Sequence, residues 1–121
     1  MVTGRLGLVL DCDDPERLAP FWAAALHYTI LGGAGNYTML VPEDGVGPQL
    51  LLQRVPEAKA AKNRVHFDVH TPDIEGEAAR LIALGAARVE ALPRAEHGSR
   101  WILMQDPDGN EFCICDAAGA C

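Results

Sequence analysis

The sequence predicts an α+β fold made of two βαβββ modules. An alternating apolar run at Leu6 leads into a helix start, and the same pattern returns 59 residues later at Val65. In each half, strand-like segments separated by turn residues follow the helix. Two helices are too few to cover a doubly wound parallel sheet, so the α+β class is favoured over α/β.

The first module begins with a strand at Leu6 to Asp11, where apolar residues alternate along the chain. Asp13 to Glu16 is a helix start, because it combines a capping carboxylate with a proline in the first turn. The apolar positions of that helix lie on one face: Leu18, Phe21, Trp22 and Ala25. Gly32 to Gly35 is predicted to be a flexible turn. Three strands are predicted after the helix, at Tyr28 to Leu31, Tyr37 to Val41 and Gln49 to Arg54.

The second module repeats this order, beginning with an alternating strand at Val65 to His70. Thr71 to Glu75 starts its helix, and Gly85 is a suitable residue to end it. The predicted apolar face of this helix comprises Ile74, Ala78, Leu81 and Ile82. Three more strands are predicted, at Ala87 to Leu92, Arg100 to Gln105 and Glu111 to Cys115, with a turn at Asp106 to Asn110 before the last.

The 121 residues are predicted to form a single domain, with modules at about 1–58 and 64–121. The polar segment from Lys59 to Asn63 connects the two modules. A module of this size buries little core by itself, so the two are expected to share a sheet or to pair across a dimer.

Composition excludes several classes of function. Apolar residues make up 49% and charged residues 22%, which is typical of a globular protein. The net charge of −7 repels phosphate backbones and anionic lipids, so we expect no nucleic-acid or membrane partner.

The chain shows no signal-peptide pattern and no apolar run that could span a bilayer, so a cytoplasmic location is predicted. The cysteine spacing suggests no disulfide framework, and we expect reduced thiols.

Alternation along the strands assigns their side chains to two faces. In the strand at Val65, the apolar face comprises Val65, Phe67 and Val69. The opposite face comprises His66, Asp68 and His70. The apolar face should receive the helices, while the opposite face is either simply solvated or the wall of a pocket. Four side chains are expected to share one cavity on that face: His66, Asp68, Glu111 and Cys113.

With these features, the chain resembles the vicinal oxygen chelate superfamily, which includes glyoxalases, bleomycin-resistance proteins and extradiol dioxygenases. The resemblance rests on the doubled βαβββ pattern and on three segments: Asp11 to Pro15 with the later Phe21-Trp22, Asn63 to Val69, and Trp101 to Phe112 with its D-P-D-G-N turn. It is strongest with the glyoxalase-like subgroup. It implies a curved open sheet around a central cavity, with the helices on the convex face, usually in homodimers.

The resemblance also implies where a divalent ion would be held in metal-dependent members of the superfamily. The four ligand positions fall at Gly7, at Leu51 (or Gln49 in another register), at His66 and at Cys113. Only His66 retains the family's residue type, and glycine and leucine offer no side-chain donor. We therefore expect no standard metal site and no cofactor, with His66 as a ligand only if a metal is present. A shifted site that uses His66, Glu111 and Asp68 is kept as the alternative.

His66 is the best catalytic candidate, followed by Glu111. His66 suits a general base, a ligand contact or a structural hydrogen bond, and Glu111 suits an acid–base group or a carboxylate at the cavity rim. Six residues are predicted to contact a small-molecule ligand: His66, Asp68, Gln53, Trp101, Glu111 and Cys113.

Two functions of different class remain open at this stage. The first is a metal-free small-molecule-binding protein, similar to the bleomycin-resistance branch, with a degenerate metal site. The second is a glyoxalase-type lyase, isomerase or dioxygenase with an atypical site around His66. In either case a homodimer is expected, because small modules leave an open sheet edge that a partner can cover.

Overall fold

The computed structural model describes residues 4–116, which belong to two compact units divided between Lys59 and Ala60. Each unit contains one helix and one open, mixed sheet. The predicted α+β class is therefore confirmed, as is the repeated order of strand, helix and further strands. Within the described residues, neither helix is long and apolar enough to cross a bilayer.

The first unit forms a four-stranded sheet in the order β1-β4-β3-β2. β1 pairs with β4 in parallel, and the other two pairs are antiparallel. The helix α1 packs against β2, β3 and β4. The element bounds are β1 (Gly7–Cys12), α1 (Pro15–Leu26), β2 (Tyr28–Ala34), β3 (Tyr37–Pro42) and β4 (Gln49–Arg54).

The helix α1 begins where the sequence predicts. Asp14 is the N-cap, and its carboxylate accepts a hydrogen bond from the Glu16 amide at 3.2 Å. The helix ends at His27, whose φ of 57° lies in the left-handed region. All four predicted apolar positions are buried, which are Leu18, Phe21, Trp22 and Ala25.

The second unit forms a sheet in the order β5-β9-β8-β6, and β7 also pairs with β8. β5 and β9 are parallel, which repeats the pairing of β1 with β4. The helix α2 is capped by Asp73 and packs against β6, β8 and β9. The bounds are β5 (Phe67–Thr71), α2 (Ile74–Ala83), β6 (Ala87–Arg88), β7 (Arg94–Glu96), β8 (Ser99–Gln105) and β9 (Glu111–Asp116).

The strand β5 begins at Phe67, two residues later than the sequence predicts. Val65 is 73% exposed and lies in a bend, so its assignment to the apolar face was wrong. The neighbouring strand explains the difference: β9 begins at Glu111, and the parallel ladder begins where Phe67 meets Phe112. The residues just before Phe67 have no strand to pair with in the described part of the second unit. The core prediction holds for Val69, Phe112 and Ile114, which are buried, while Phe67 is half-buried.

Other differences occur where the local sequence signal is weak. Ile82 is 44% exposed because α2 turns only its Ile74, Ala78 and Leu81 side inward. The strand predicted from Ala87 is reduced to β6, and the short strand β7 was not predicted. β2 continues through Gly32 and Gly33, so only Gly35 of the glycine-rich segment lies in the hairpin turn, with φ of 60°.

The cysteines also depart from the prediction. Cys12 and Cys113 are buried thiols, as expected. Cys115, near the end of β9, is disulfide-bonded, so the prediction of a reduced thiol is wrong at this position. Cys121 lies outside the described residues.

The D-P-D-G-N turn is held by the buried carboxylate of Asp106. Its Oδ1 atom accepts hydrogen bonds from the amides of Asp108 and Asn110, both at 2.9 Å. The Asn110 side-chain amide donates to the same carboxylate at 3.0 Å, and the Asp106 amide donates to the Asn110 carbonyl. Because Asn110 directly precedes β9, this network fixes where the last strand begins.

Replacement of Asp106 by alanine should destabilise the protein by about 2–4 kcal/mol, because several buried donors would lose their acceptor. The matched control is Asp44→Ala, since Asp44 accepts one amide hydrogen bond in an exposed turn of the first unit. The control should cost less than about 1 kcal/mol. Urea denaturation followed by circular dichroism measures both, and equal losses would contradict the role assigned to Asp106.

Candidate functional site

The candidate site lies on the face of the second-unit sheet opposite Phe112 and Ile114. Asp68 on β5 and Cys113 on β9 are direct partners in the parallel ladder, so their side chains lie on the same face. His66 is two residues before Asp68, immediately ahead of β5. The structure therefore brings together three of the predicted site residues.

The three side chains meet at their polar ends. The Nε2 atom of His66 lies 3.4 Å from the Oδ1 atom of Asp68. One donor atom from each of His66, Asp68 and Cys113 lies within 4.8 Å of the other two. The side chains of His66 and Asp68 are 34% and 26% exposed, whereas Cys113 is buried. A ligand would approach from the side of His66 and Asp68, with the thiol beneath them.

Two groups of the site are shielded from solvent, the Oδ1 atom of Asp68 and the thiol of Cys113. The Asp68 Oδ1 atom accepts no hydrogen bond from the described residues, and the Nε2 atom of His66 lies 3.4 Å from it. Burial raises the pKa of the Cys113 thiol to about 11, and the Asp68 carboxylate adds to this rise. Lys62 and Arg94 lower the pKa of Cys113, but by less. The thiol is thus protonated and a poor nucleophile at neutral pH.

The Glu111 carboxylate accepts a hydrogen bond that could not be predicted from the sequence. Its Oε1 atom accepts a hydrogen bond from the backbone amide of Asn63 at 2.7 Å, and the Asn63 side chain donates to the Oδ1 atom of Asn110 at 3.3 Å. This pair ties the segment before His66 to the start of β9. Glu111 therefore serves to position the chain, and it is not among the three grouped donors.

Trp101 and Gln53, the other two residues predicted to contact a ligand, do not belong to this group of three. Trp101 is half-buried on β8 and pairs with Cys115, so it shares the sheet face of Cys113. Gln53 belongs to the first unit, where its amide lies 3.5 Å from the Tyr37 hydroxyl. Two cations near the thiol, Lys62 and Arg94, were not predicted from the sequence. Lys62 lies in the connector, and Arg94 lies in the unpredicted strand β7.

The equivalent face of the first unit carries different chemistry. Gly7 pairs with Gln49, and Val9 pairs with Leu51, on the face opposite the buried Leu50 and Leu52. An open depression of about 740 Å³ lies at the ends of these strands and includes Gly7 and Gln49 in its lining. The rest of that lining comprises Arg5, Leu6, Val41, Pro42, Gly45, Gly47 and Pro48.

A four-strand metal chelate does not fit these residues. Gly7 has no side chain, and Leu51 has no donor atom. Gln49, in the other register, offers one neutral amide in place of a charged carboxylate. These positions of the first unit therefore supply no charged donor, and the group of His, Asp and Cys donors found among residues 4–116 lies in the second unit.

The sequence profile of the glyoxalase-like domain matches residues 7–115. The chain belongs to this family. The match spans both units from β1 into β9, so the predicted membership of the vicinal oxygen chelate superfamily is confirmed. No curated protein matches the glyoxalase-like chain.

Solved structures show the same fold at low sequence identity. A protein from Agrobacterium tumefaciens, solved by NMR, has a TM-score of 0.77 at 19% identity, covering 98% of this chain and 100% of its own. The fosfomycin resistance protein FosX of Mesorhizobium loti has a TM-score of 0.72 at 19% identity, covering 99% and 95%. FosX of Listeria monocytogenes, solved with Mn(II) and 1S,2S-dihydroxypropylphosphonic acid, has a TM-score of 0.73 at 16% identity, covering 94% and 90%.

The raised pKa of Cys113 predicts slow alkylation at neutral pH. With a pKa of about 11, only about one thiol in ten thousand is ionised at pH 7. The rate of iodoacetamide labelling, followed by peptide mass spectrometry, should rise steeply between pH 8 and the folded-state pKa. Asp68→Asn removes a negative charge and should shift this rise to lower pH, while Lys62→Ala should shift it to higher pH. Rapid labelling of the wild-type protein at pH 7 would contradict this assignment.

Proposed function

We propose that this glyoxalase-like protein binds a small organic molecule and does so without the metal chelate of its superfamily. One observation carries the proposal: two of the four positions at which the resemblance implies metal ligands are occupied by Gly7 and Leu51, which have no side-chain donor. A site that loses two of four donors loses both coordination number and enforced geometry.

The composition of the sheet faces supports a binding role. The depression of about 740 Å³ at Gly7 and Gln49 has a volume typical of a small-molecule pocket. In the second unit, His66 and Asp68 offer hydrogen-bonding groups, and the ring of Trp101 lies on the sheet face that Asp68 and Cys113 share. The net charge of −7 favours neutral or cationic ligands. The proposed contacts are His66, Asp68, Gln53, Trp101, Glu111 and Cys113, with Glu111 acting through the chain it positions.

An enzymatic role is the second candidate, and the grouping of His66, Asp68 and Cys113 favours it. An imidazole 3.4 Å from a carboxylate is an arrangement suited to proton transfer, because the carboxylate can orient the ring. In this reading His66 is the general base of a glyoxalase-type lyase, isomerase or dioxygenase. FosX of Listeria monocytogenes holds Mn(II) and a phosphonate, so fosfomycin is a suitable probe for this candidate.

The binding proposal predicts that a ligand stabilises the protein without added metal. Metal-free bleomycin is the probe, and the melting temperature is the readout. A ligand at a hundredfold excess over its Kd stabilises the native state by about 2.7 kcal/mol, so the melting temperature should rise by several degrees. His66→Ala should abolish most of this rise, whereas His97→Ala should preserve it, because His97 is an exposed residue of a hairpin turn.

Elemental analysis of the purified protein discriminates the metal-free binding function from the enzymatic one. Protein purified without chelator should hold well under one equivalent of zinc, nickel, manganese or iron by elemental analysis. One tightly held ion per chain that is lost in His66→Ala would overturn the metal-free proposal. Consumption of fosfomycin that requires both Mn(II) and His66 would favour the enzyme.

We further propose a cytoplasmic homodimer. The strand β2 forms one edge of the first-unit sheet, and its Ile30 and Leu31 are exposed. An uncovered apolar edge strand is a surface that a second copy can cover. Analytical ultracentrifugation at high micromolar concentration should give twice the chain mass. Lys substitutions at Ile30 and Leu31 should shift the equilibrium toward monomer, and a wild-type protein that sediments only as monomer would refute the dimer.

A further inference from the structure

We propose that the open sheet face of the first unit binds a hydrophobic amine, with the ammonium group held at Asp11 and the apolar body lying along the strands. The inference rests on the proposed small-molecule function and names the chemical class of ligand that this unit takes. It needs no side chain of the second unit. Two features carry it: a carboxylate with no partner among the described residues, and a row of accessible apolar side chains beside it.

The Asp11 carboxylate is available to a cation. Asp11 is exposed on β1, and its carboxylate makes no hydrogen bond or ion pair with residues 4–116. Arg54, the cation on the neighbouring strand β4, is engaged elsewhere: it donates to the Asp13 carbonyl at 2.8 Å and lies 3.2 Å from the Asp14 carboxylate. Because Arg54 directly follows Gln53, its side chain belongs to the opposite face of the sheet. A ligand cation at Asp11 therefore does not have to displace Arg54.

Asp11 lies at one end of a polar row that crosses three strands. It pairs with Gln53 on β4, and Gln53 pairs with Tyr37 on β3, so the three side chains share one face. The Gln53 amide nitrogen lies 3.5 Å from the Tyr37 hydroxyl, which leaves the amide oxygen as an acceptor. The ring of Tyr37 is exposed at the far end of the row. The row thus supplies an ionic partner and a hydrogen-bond acceptor for an ammonium group.

A row of apolar side chains lies next to the polar one. Val9, Leu51 and Met39 are partners across the same three strands, two residues and about 7 Å along from the polar row. Val9 is 58% exposed, and the other two are half-buried. On β2 the partner of Met39 is Gly32, and the space beside its Cα is open. An apolar ring laid on this row would remove the three side chains from water.

The charges at the two ends of the face determine the orientation of the ligand. Gly7, two residues before Val9 on β1, belongs to the depression of about 740 Å³, whose lining includes Arg5. A cation is repelled by Arg5 at that end and attracted by Asp11 at the other. The net charge of −7 also favours a cation over an anion. The apolar body of the ligand therefore points from Asp11 toward the depression.

The test is a titration of the isotope-labelled full chain with 2-(1-naphthyl)ethylamine, followed by the amide signals in two-dimensional NMR spectra. We expect saturable shifts centred on β1, β3 and β4 of the first unit. 1-Naphthylacetate carries the same ring with the opposite charge and should bind at least about fivefold more weakly. Asp11→Asn should weaken amine binding by about fivefold. Val9→Thr should weaken it by about threefold, because it places a hydroxyl in the apolar row.

Glu16→Gln is the matched control, because it removes one exposed carboxylate from the first turn of α1. It should leave the affinity for the amine unchanged. Asp11, Val9 and Glu16 are exposed, so the variants should fold, and their amide spectra check this. Equal losses in Asp11→Asn and Glu16→Gln would show attraction by net charge alone and would overturn the proposal, as would shifts centred on the second unit.

Failure of this inference is distinguishable from failure of the proposed function. Stabilisation by bleomycin that depends on His66, in a protein that does not bind the amine, would retain the proposed function and overturn the amine site. Amine binding that depends on Asp11, in a protein that bleomycin does not stabilise, would support the amine site and count against the role of His66 in binding.

Discussion

The second unit depends on the hydrogen bonds that the buried carboxylate of Asp106 accepts. It gathers the amides of the D-P-D-G-N turn and thereby fixes Asn110 as the residue before β9. The register of β9 follows from that starting point, and it places Cys113 opposite Asp68. Through Asn110 and Glu111 the same turn also holds Asn63, and with it the segment that leads to His66. A structural turn thus assembles the candidate site.

The two units use the same topology for different surface chemistry. In both, a parallel pair of strands lies at the end of the sheet and presents alternating faces. The second unit fills the face with His66, Asp68 and Cys113, all of which have donor atoms. The first unit has Gly7, Val9 and Leu51 on the corresponding face, together with Gln49, Asp11 and Gln53. One topology therefore carries different side-chain chemistry in its two copies, because backbone pairing constrains the position of a side chain and leaves its chemistry open.

Much of the fold could be predicted from the sequence because its signals are local. Asp14 and Asp73 cap the helices through neighbouring amides, and the alternation along β5 and β9 assigns their faces. The features that were missed depend on distant partners. β7 is a three-residue polar strand that forms by pairing with β8, and the start of β5 is set by where β9 begins.

The site was predictable in part for the same reason. His66, Asp68 and Cys113 could be placed together because strand parity is a short-range property. The role of Glu111 in positioning the segment before His66 could not be predicted, because its hydrogen bond joins residues 48 positions apart. The electrostatic influence of Arg94 on Cys113 likewise arises from sheet pairing, which brings β7 beside β8 and β8 beside β9.

The parallel pairing of first and last strands also governs the order in which the chain can acquire structure. β1 finds its partner only when the chain has been made as far as Gln49, and β5 must wait in the same way for Phe112. Closing such long loops costs entropy before any contact repays it, so each unit folds late relative to its own synthesis. On the ribosome, the first strand of each unit therefore spends most of its unit's translation without its strand partner.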